Sequence, residues 1–104
     1  MAKTVERKRI EVLVDMPLLG RVEKIAEKAG VKFYTIQPTR GGGGTGGRWY
    51  DDRVTGGAGT KVMFSAITSE ENADTFVNAL EPLLDAYGLV VIRSDVEVIR
   101  SEKF

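Results

Sequence analysis

From Ala73 to Tyr87 an apolar side chain returns every three or four positions: Ala73, Phe76, Val77, Leu80, Leu83, Leu84 and Tyr87. That spacing draws one continuous stripe along a helix of about four turns. A helix so one-sided has to lay its stripe on something, and the rest of the chain offers a sheet. Ile10, Val12 and Val14 alternate with Glu11, Leu13 and Asp15, the period of a strand. Residues 1–9 are polar and basic and read as a frayed lead-in. Asp15 just ahead of Pro17 signals a helix start, and Leu18, Val22, Ile25, Ala26 and Ala29 form a second stripe closed by Gly30.

Lys32 to Gln37 is rich in aromatic and β-branched residues and stops at Pro38, which predicts a second strand. Lys61 to Ile67 is the third. Thr68-Ser69-Glu70-Glu71 has the form of a capping box, with Thr68 as the cap and Glu71 reaching back. Pro82 removes the amide that would bond the Asn78 carbonyl, so a kink is expected there, and Gly88 ends the helix. Leu89 to Arg100 is the last strand, with Val90, Ile92, Val96 and Val98 on one face.

The order βαββαβ predicts an α+β fold: a ferredoxin-like sandwich with both helices on one face of an antiparallel sheet. At 104 residues it is a single domain, 1–104. Two helices cover one side of the sheet only. The other side is expected to carry Leu13, Tyr34, Ile36, Met63, Ile67, Leu89, Val91 and Ile99, or their neighbours if the register differs by one. Such a surface calls for a homo-oligomer, unless part of it lies at the sheet margin beneath a loop.

That loop is residues 38–60, which hold nine of the twelve glycines. A structureless run of this length inside a small domain is usually functional or disordered. Ordering it is costly in entropy, so a ligand or partner is expected to hold it. Arg48, Trp49, Tyr50, Asp51, Asp52 and Arg53 form an aromatic, charged tip. Trp49, Tyr50 and Arg53 suit contact with a partner, though the aromatics could equally fold back over a ligand. Bare amides at Gly41, Gly42, Gly43 and Gly44 beside Arg40 and Arg48 can cradle phosphate or another anion; the alternative is a plain linker. The match to a dinucleotide fingerprint is empty, since any glycine run satisfies it and no helix follows, and no Gly-Lys-Ser/Thr is present for a P-loop.

Equal numbers of basic and acidic residues, 15 each, argue against nucleic-acid binding. With no cysteine and no histidine, disulfides, zinc sites, thiol nucleophiles and histidine acid–base chemistry are all excluded. Asp51 and Asp52 alone are a poor metal signal, so no metal is expected. No nucleophile, base and orienter assemble, and the chain is read as non-enzymatic. An apolar stretch near 20 residues and a leader pattern are both missing, which gives a cytoplasmic expectation without membrane insertion. Arg93 and Arg100 stand among apolar residues, where a cation needs a carboxylate or a bound anion.

Ile10-Glu-Val-Leu-Val, Leu-Gly-Arg-Val-Glu-Lys-Ile-Ala-Glu-Lys-Ala-Gly30, Tyr34-Thr-Ile and Arg40-Gly-Gly-Gly together resemble the PII family of signal proteins. The likeness covers most of the chain, and the loop entry is its specific part. It implies a homotrimer that binds an adenine nucleotide (AMP, ADP or ATP) in clefts between subunits, with residues 38–60 as the T-loop. By the same match Thr35 and Ala66 approach the adenine, Gly41 and Gly43 give amides to the phosphates, and Arg100 gives a guanidinium. Gly42, Gly44, Arg40 and Arg93 join that nucleotide set, and Gly43, Gly44, Thr45 and Arg48 are the candidates for a bicarbonate or other anion.

The lysine-bearing glycine loop of classical members is replaced here by Asp85-Ala-Tyr-Gly-Leu, and no uridylylated-tyrosine motif is evident. The chain thus looks closer to the PII-like branch linked to bicarbonate transport and carboxysomes. The resemblance implies a sensor acting on a bicarbonate transporter or carboxysome-related protein. The rivals are a ferredoxin-like assembly module without a small ligand, and a related trimeric heavy-metal tolerance protein, which lacks soft ligands here.

Overall fold

A computed structural model describes residues 2–50 and 60–104. Strand β1 (Val5–Asp15) leads through a 3-10 turn (Met16–Leu18) into helix α1 (Leu19–Lys28). Strand β2 (Phe33–Pro38) is followed by a hairpin of β3 (Gly41–Gly44) and β4 (Gly47–Tyr50). Then come β5 (Lys61–Thr68), helix α2 (Glu70–Tyr87), β6 (Val90–Val98) and a last 3-10 turn (Ser101–Lys103). The main sheet is antiparallel in the order β2-β5-β1-β6, and the expected βαββαβ α+β sandwich is present.

Alternation decides what is inside. In β5, Val62, Phe64, Ala66 and Thr68 are buried while Lys61, Met63, Ser65 and Ile67 are half-buried. The buried set faces the helices and meets Ile10, Val12 and Val14 of β1. Val22 and Ala26 from α1 and Phe76, Leu80 and Leu83 from α2 complete this core. Phe64 lies at its centre, stacked on Tyr34 at 4.8 Å and edge-on to Phe76 at 5.8 Å.

The opposite sheet face carries Leu13, Met63 and Ile67 as expected, but the parity of β2 and β6 is reversed. Tyr34 pairs with Ala66 and Ile36 with Phe64, which puts both on the helix side. Leu89 and Val91 pack toward the core, whereas Val90 and Ile92 are each 50% exposed on the free face. Ile99 lies beyond β6. Period-two alternation fixes which residues share a face, not which face meets the helices. In β2 and β6, apolar residues occupy both parities. The chain end crosses the free face: Phe104 meets Phe33 of the far edge strand edge-on at 4.9 Å.

Two local expectations are also corrected. The lead-in is not frayed, because Val5 to Arg9 pair with Ser94 to Val98 and extend β1. The cap of α2 is Ser69, whose hydroxyl accepts from the Asn72 amide at 3.2 Å, and Thr68 is the buried end of β5. Helix α2 runs on past Pro82 to Gly88, whose left-handed backbone (φ 63°) closes it with an amide bond to the Leu84 carbonyl.

These cap assignments have opposite consequences for stability. Ser69→Ala should cost about 1 kcal/mol in denaturant unfolding. Thr68→Val should be neutral or stabilising, because the Thr68 hydroxyl is buried without a partner. A loss on Thr68→Val with none on Ser69→Ala would return the cap to Thr68.

Candidate functional site

The hairpin folds over the end of the sheet and encloses a cleft of about 560 Å³. Leu13 and Val90, from the last row of the free face, give it an apolar floor. Gly43, Gly44, Thr45, Gly46, Gly47 and Arg48 form one side, and Asp15, Lys61 and Gly88 stand on the other. Glycines suit such a wall because their amides are not screened by side chains.

The expectation of a structureless 38–60 is corrected for residues 41–50. Gly41 to Gly44 pair with Tyr50 to Gly47, residue by residue. Sequence reasoning weighed the entropy of the glycines but not the anchor that Trp49 provides. A β-carbon on Gly42 would lie 2.5 Å from Cζ2 and 2.9 Å from Cζ3 of the Trp49 indole, so the ring rests on bare backbone. The indole Nε1 donates to Thr39 Oγ1 at 3.2 Å, and that hydroxyl donates to the Lys61 carbonyl at 2.6 Å. The Lys61 ammonium stands 5.6 Å from the Trp49 ring centroid. Trp49 therefore folds back against the sheet. Tyr50 projects, 61% exposed, with the Arg48 guanidinium over its ring and hydrogen-bonded to its hydroxyl.

Of the candidate residues, Gly43, Gly44, Thr45, Arg48 and Trp49 converge on this cleft. Gly42 is taken up by the indole contact, and Gly41 lies against the Trp49 carbonyl and the Tyr50 ring. Arg40 is exposed at the base of the hairpin. Thr35 lies farther along the free face, opposite Ser65. Ala66 is completely buried among core residues, so within one chain it offers no surface to a ligand. Arg93 is on the helix side, paired with Asp74 of α2 at 2.7 Å. Arg100 follows the far end of β6; Val90 lines the cleft, and eight strand residues further on, at about 3.3 Å each, lies Val98. Its backbone is left-handed (φ 63°), the sole such non-glycine among the described residues. Arg53, and with it Asp51 and Asp52, lies outside the described residues.

Sequence reasoning missed Asp15 and Lys61. They are opposite one another in the β1–β5 register and form an ion pair at 2.7 Å on the cleft wall. A lysine at the exit of a glycine-rich loop was the available signal. The shifted titrations lie elsewhere. A hydrogen bond from Lys8 holds Asp95 below the usual carboxylate range and raises Lys8, and a bond to Glu23 raises Tyr34. Among the described residues no group of three or more His, Cys, Asp or Glu could hold a metal ion, and no helix is long and apolar enough to cross a membrane.

The class the fold defines is a ferredoxin-like α+β domain with a glycine-lined cleft under a hairpin. Residues 7–103 match the family model of nitrogen regulatory protein P-II, and the chain belongs to that family. It is a PII-like regulatory protein. Among solved structures it is similar to CPII, a nitrogen regulatory PII-like protein from Thiomonas intermedia K12, bound to ADP, AMP and bicarbonate. That match has a TM-score of 0.92 at 25% identity and covers 100% of this chain and 98% of the other. CPII bound to ADP and bicarbonate matches with a TM-score of 0.89 at 25% identity, covering 100% and 99%. A candidate PII-like signaling protein from Thermus thermophilus matches at 0.81 and 25% identity, covering 98% of each chain. No curated protein sequence matches.

The indole seat gives a direct test of the hairpin. Gly42→Ala should expel the ring and shift the emission of Trp49, the sole tryptophan, to longer wavelength. Gly43→Ala meets nothing within 4 Å and should leave the emission unchanged. Equal spectra for both variants would mean that the ring does not lie on Gly42.

Proposed function

We propose that the chain is a non-catalytic sensor whose cleft takes an adenine nucleotide together with bicarbonate and signals through its hairpin. The observation that carries this is the cleft itself: Gly43, Gly44, Gly46 and Gly47 line it together with Lys61 and Arg48, over a floor of Leu13 and Val90. A volume near 560 Å³ is the size of a small-molecule site. Amides and guanidinium suit phosphate or bicarbonate oxygens, and Leu13 and Val90 suit a flat apolar ring. Support comes from CPII, whose bound ADP, AMP and bicarbonate have the same chemistry.

The nucleotide set is proposed as Thr35, Arg40, Gly41 to Gly44 and Arg100, and the anion set as Gly43, Gly44, Thr45 and Arg48. Arg100 stands a strand length away from its own cleft, so it serves the cleft of a neighbouring copy. That requires an oligomer, which we take as a homotrimer burying the free face with Val90, Ile92, Met63 and Ile67. Tyr50, exposed on the hairpin, meets a regulated partner of the bicarbonate-transport or carboxysome class. A sensor of adenine nucleotides belongs where that pool is held, in the cytoplasm.

Calorimetry with AMP, ADP and ATP, each with and without bicarbonate, tests the reading. Binding is expected for at least one nucleotide, and Arg100→Ala should weaken it by about 1.5–3 kcal/mol, the scale of a charged hydrogen bond. Sedimentation should give three times 11.4 kDa for both proteins. No heat with any nucleotide, or a stable monomer, would leave an assembly module or a plain single-chain domain in its place.

A further inference from the structure

We infer that Asp15 is an internal counter-ion in the cleft, which an entering anion displaces from Lys61 and which sets the charge of the anion accepted. The inference rests on the binding role proposed for this cleft and adds a specificity-determining residue to it. Asp15 and Lys61 are cross-strand partners whose backbones the sheet already holds in register. Their ion pair is therefore not needed to align the strands, and it is too open to add much stability: the side chains remain 43% and 31% exposed. It does occupy one of the three donors of the Lys61 ammonium, on the wall of the cleft.

Charge gives the pair a consequence. Among the described residues that line the cleft, Asp15 faces Lys61, and the third charged residue, Arg48, has its guanidinium on the exposed Tyr50. Asp15 thus offsets the Lys61 charge on the cleft wall. Coulomb attraction scales with the product of charges, so removing Asp15 favours a dianion more than a monoanion. As built, the cleft is matched to an anion of low charge such as bicarbonate.

The same exchange reaches the hairpin. The Lys61 ammonium lies over the Trp49 indole, and the Lys61 carbonyl holds the Thr39 hydroxyl that the indole bonds. An anion that takes Lys61 from Asp15 therefore changes the contact that seats Trp49.

Calorimetry on wild type, Asp15→Asn, Lys61→Gln and the double variant, saturated with ADP and titrated with bicarbonate or sulfate, tests this. Asp15→Asn should bind bicarbonate about two- to fivefold tighter, the range of a partly exposed ion pair, and should gain more for sulfate. The double variant should bind no tighter than Lys61→Gln, because Asp15 acts through Lys61. Asp15→Ala should repeat the gain, which separates loss of charge from a new amide contact. Wild-type binding with no gain in Asp15→Asn, or a gain that persists without Lys61, overturns the role of Asp15 and leaves the sensor reading intact. No binding of ADP or either anion by any of the proteins overturns both.

Discussion

At the carbonyl of Lys61 the sheet hands over to the hairpin. It accepts the Thr39 hydroxyl at 2.6 Å and the Thr39 amide at 3.4 Å, so the chain leaving β2 is tied to the chain entering β5. Beside it the Thr60 carbonyl accepts the Met16 amide at 3.0 Å and ties in the end of β1. The Thr39 hydroxyl is thus fixed as an acceptor for the Trp49 indole, and the indole in turn sits on Gly42. These contacts run in series from the sheet to the indole, and together they seat the hairpin over the cleft. None of these contacts involves the core around Phe64, so loss of the indole seat should loosen the hairpin alone.

The glycine run consequently does two different jobs. Gly42 is glycine because an aromatic ring occupies the space of its side chain. Gly43, Gly44 and Gly46 have open space around them and line the cleft, so packing does not demand glycine there. A side chain at those positions would screen the amides from an anion.

Much of the architecture could be read from the residues. The α2 stripe, the alternation in β1 and β5 and the stop at Pro38 produced the order of elements, and the loop entry with the helix pattern produced the family. What failed did so for local reasons. Leu89 to Ile92 is four apolar residues in a row, which carries no alternation, and the parity of β6 was lost there. Thr68 and Ser69 are both good caps, and burial at the end of β5 decided between them. Ala66 lies on the core parity of β5, and Ser65 is the residue that faces Thr35. Asp15 and Lys61 are 46 residues apart and become neighbours only through strand pairing. No local motif announces such a pair.

The free face and the cleft meet at Leu13 and Val90, which belong to both. Assembly over that face would therefore border the ligand site and bring Arg100 of one copy toward the cleft of another. The central claim is that ligand and hairpin are one system, and amide hydrogen exchange across residues 41–50 tests it most directly. Adding ADP with bicarbonate should slow exchange at Gly43 to Arg48 strongly, with little change in the core strands. Measurable binding that leaves those amides exchanging as before would contradict the account, because the glycine wall would then have no part in holding the ligand.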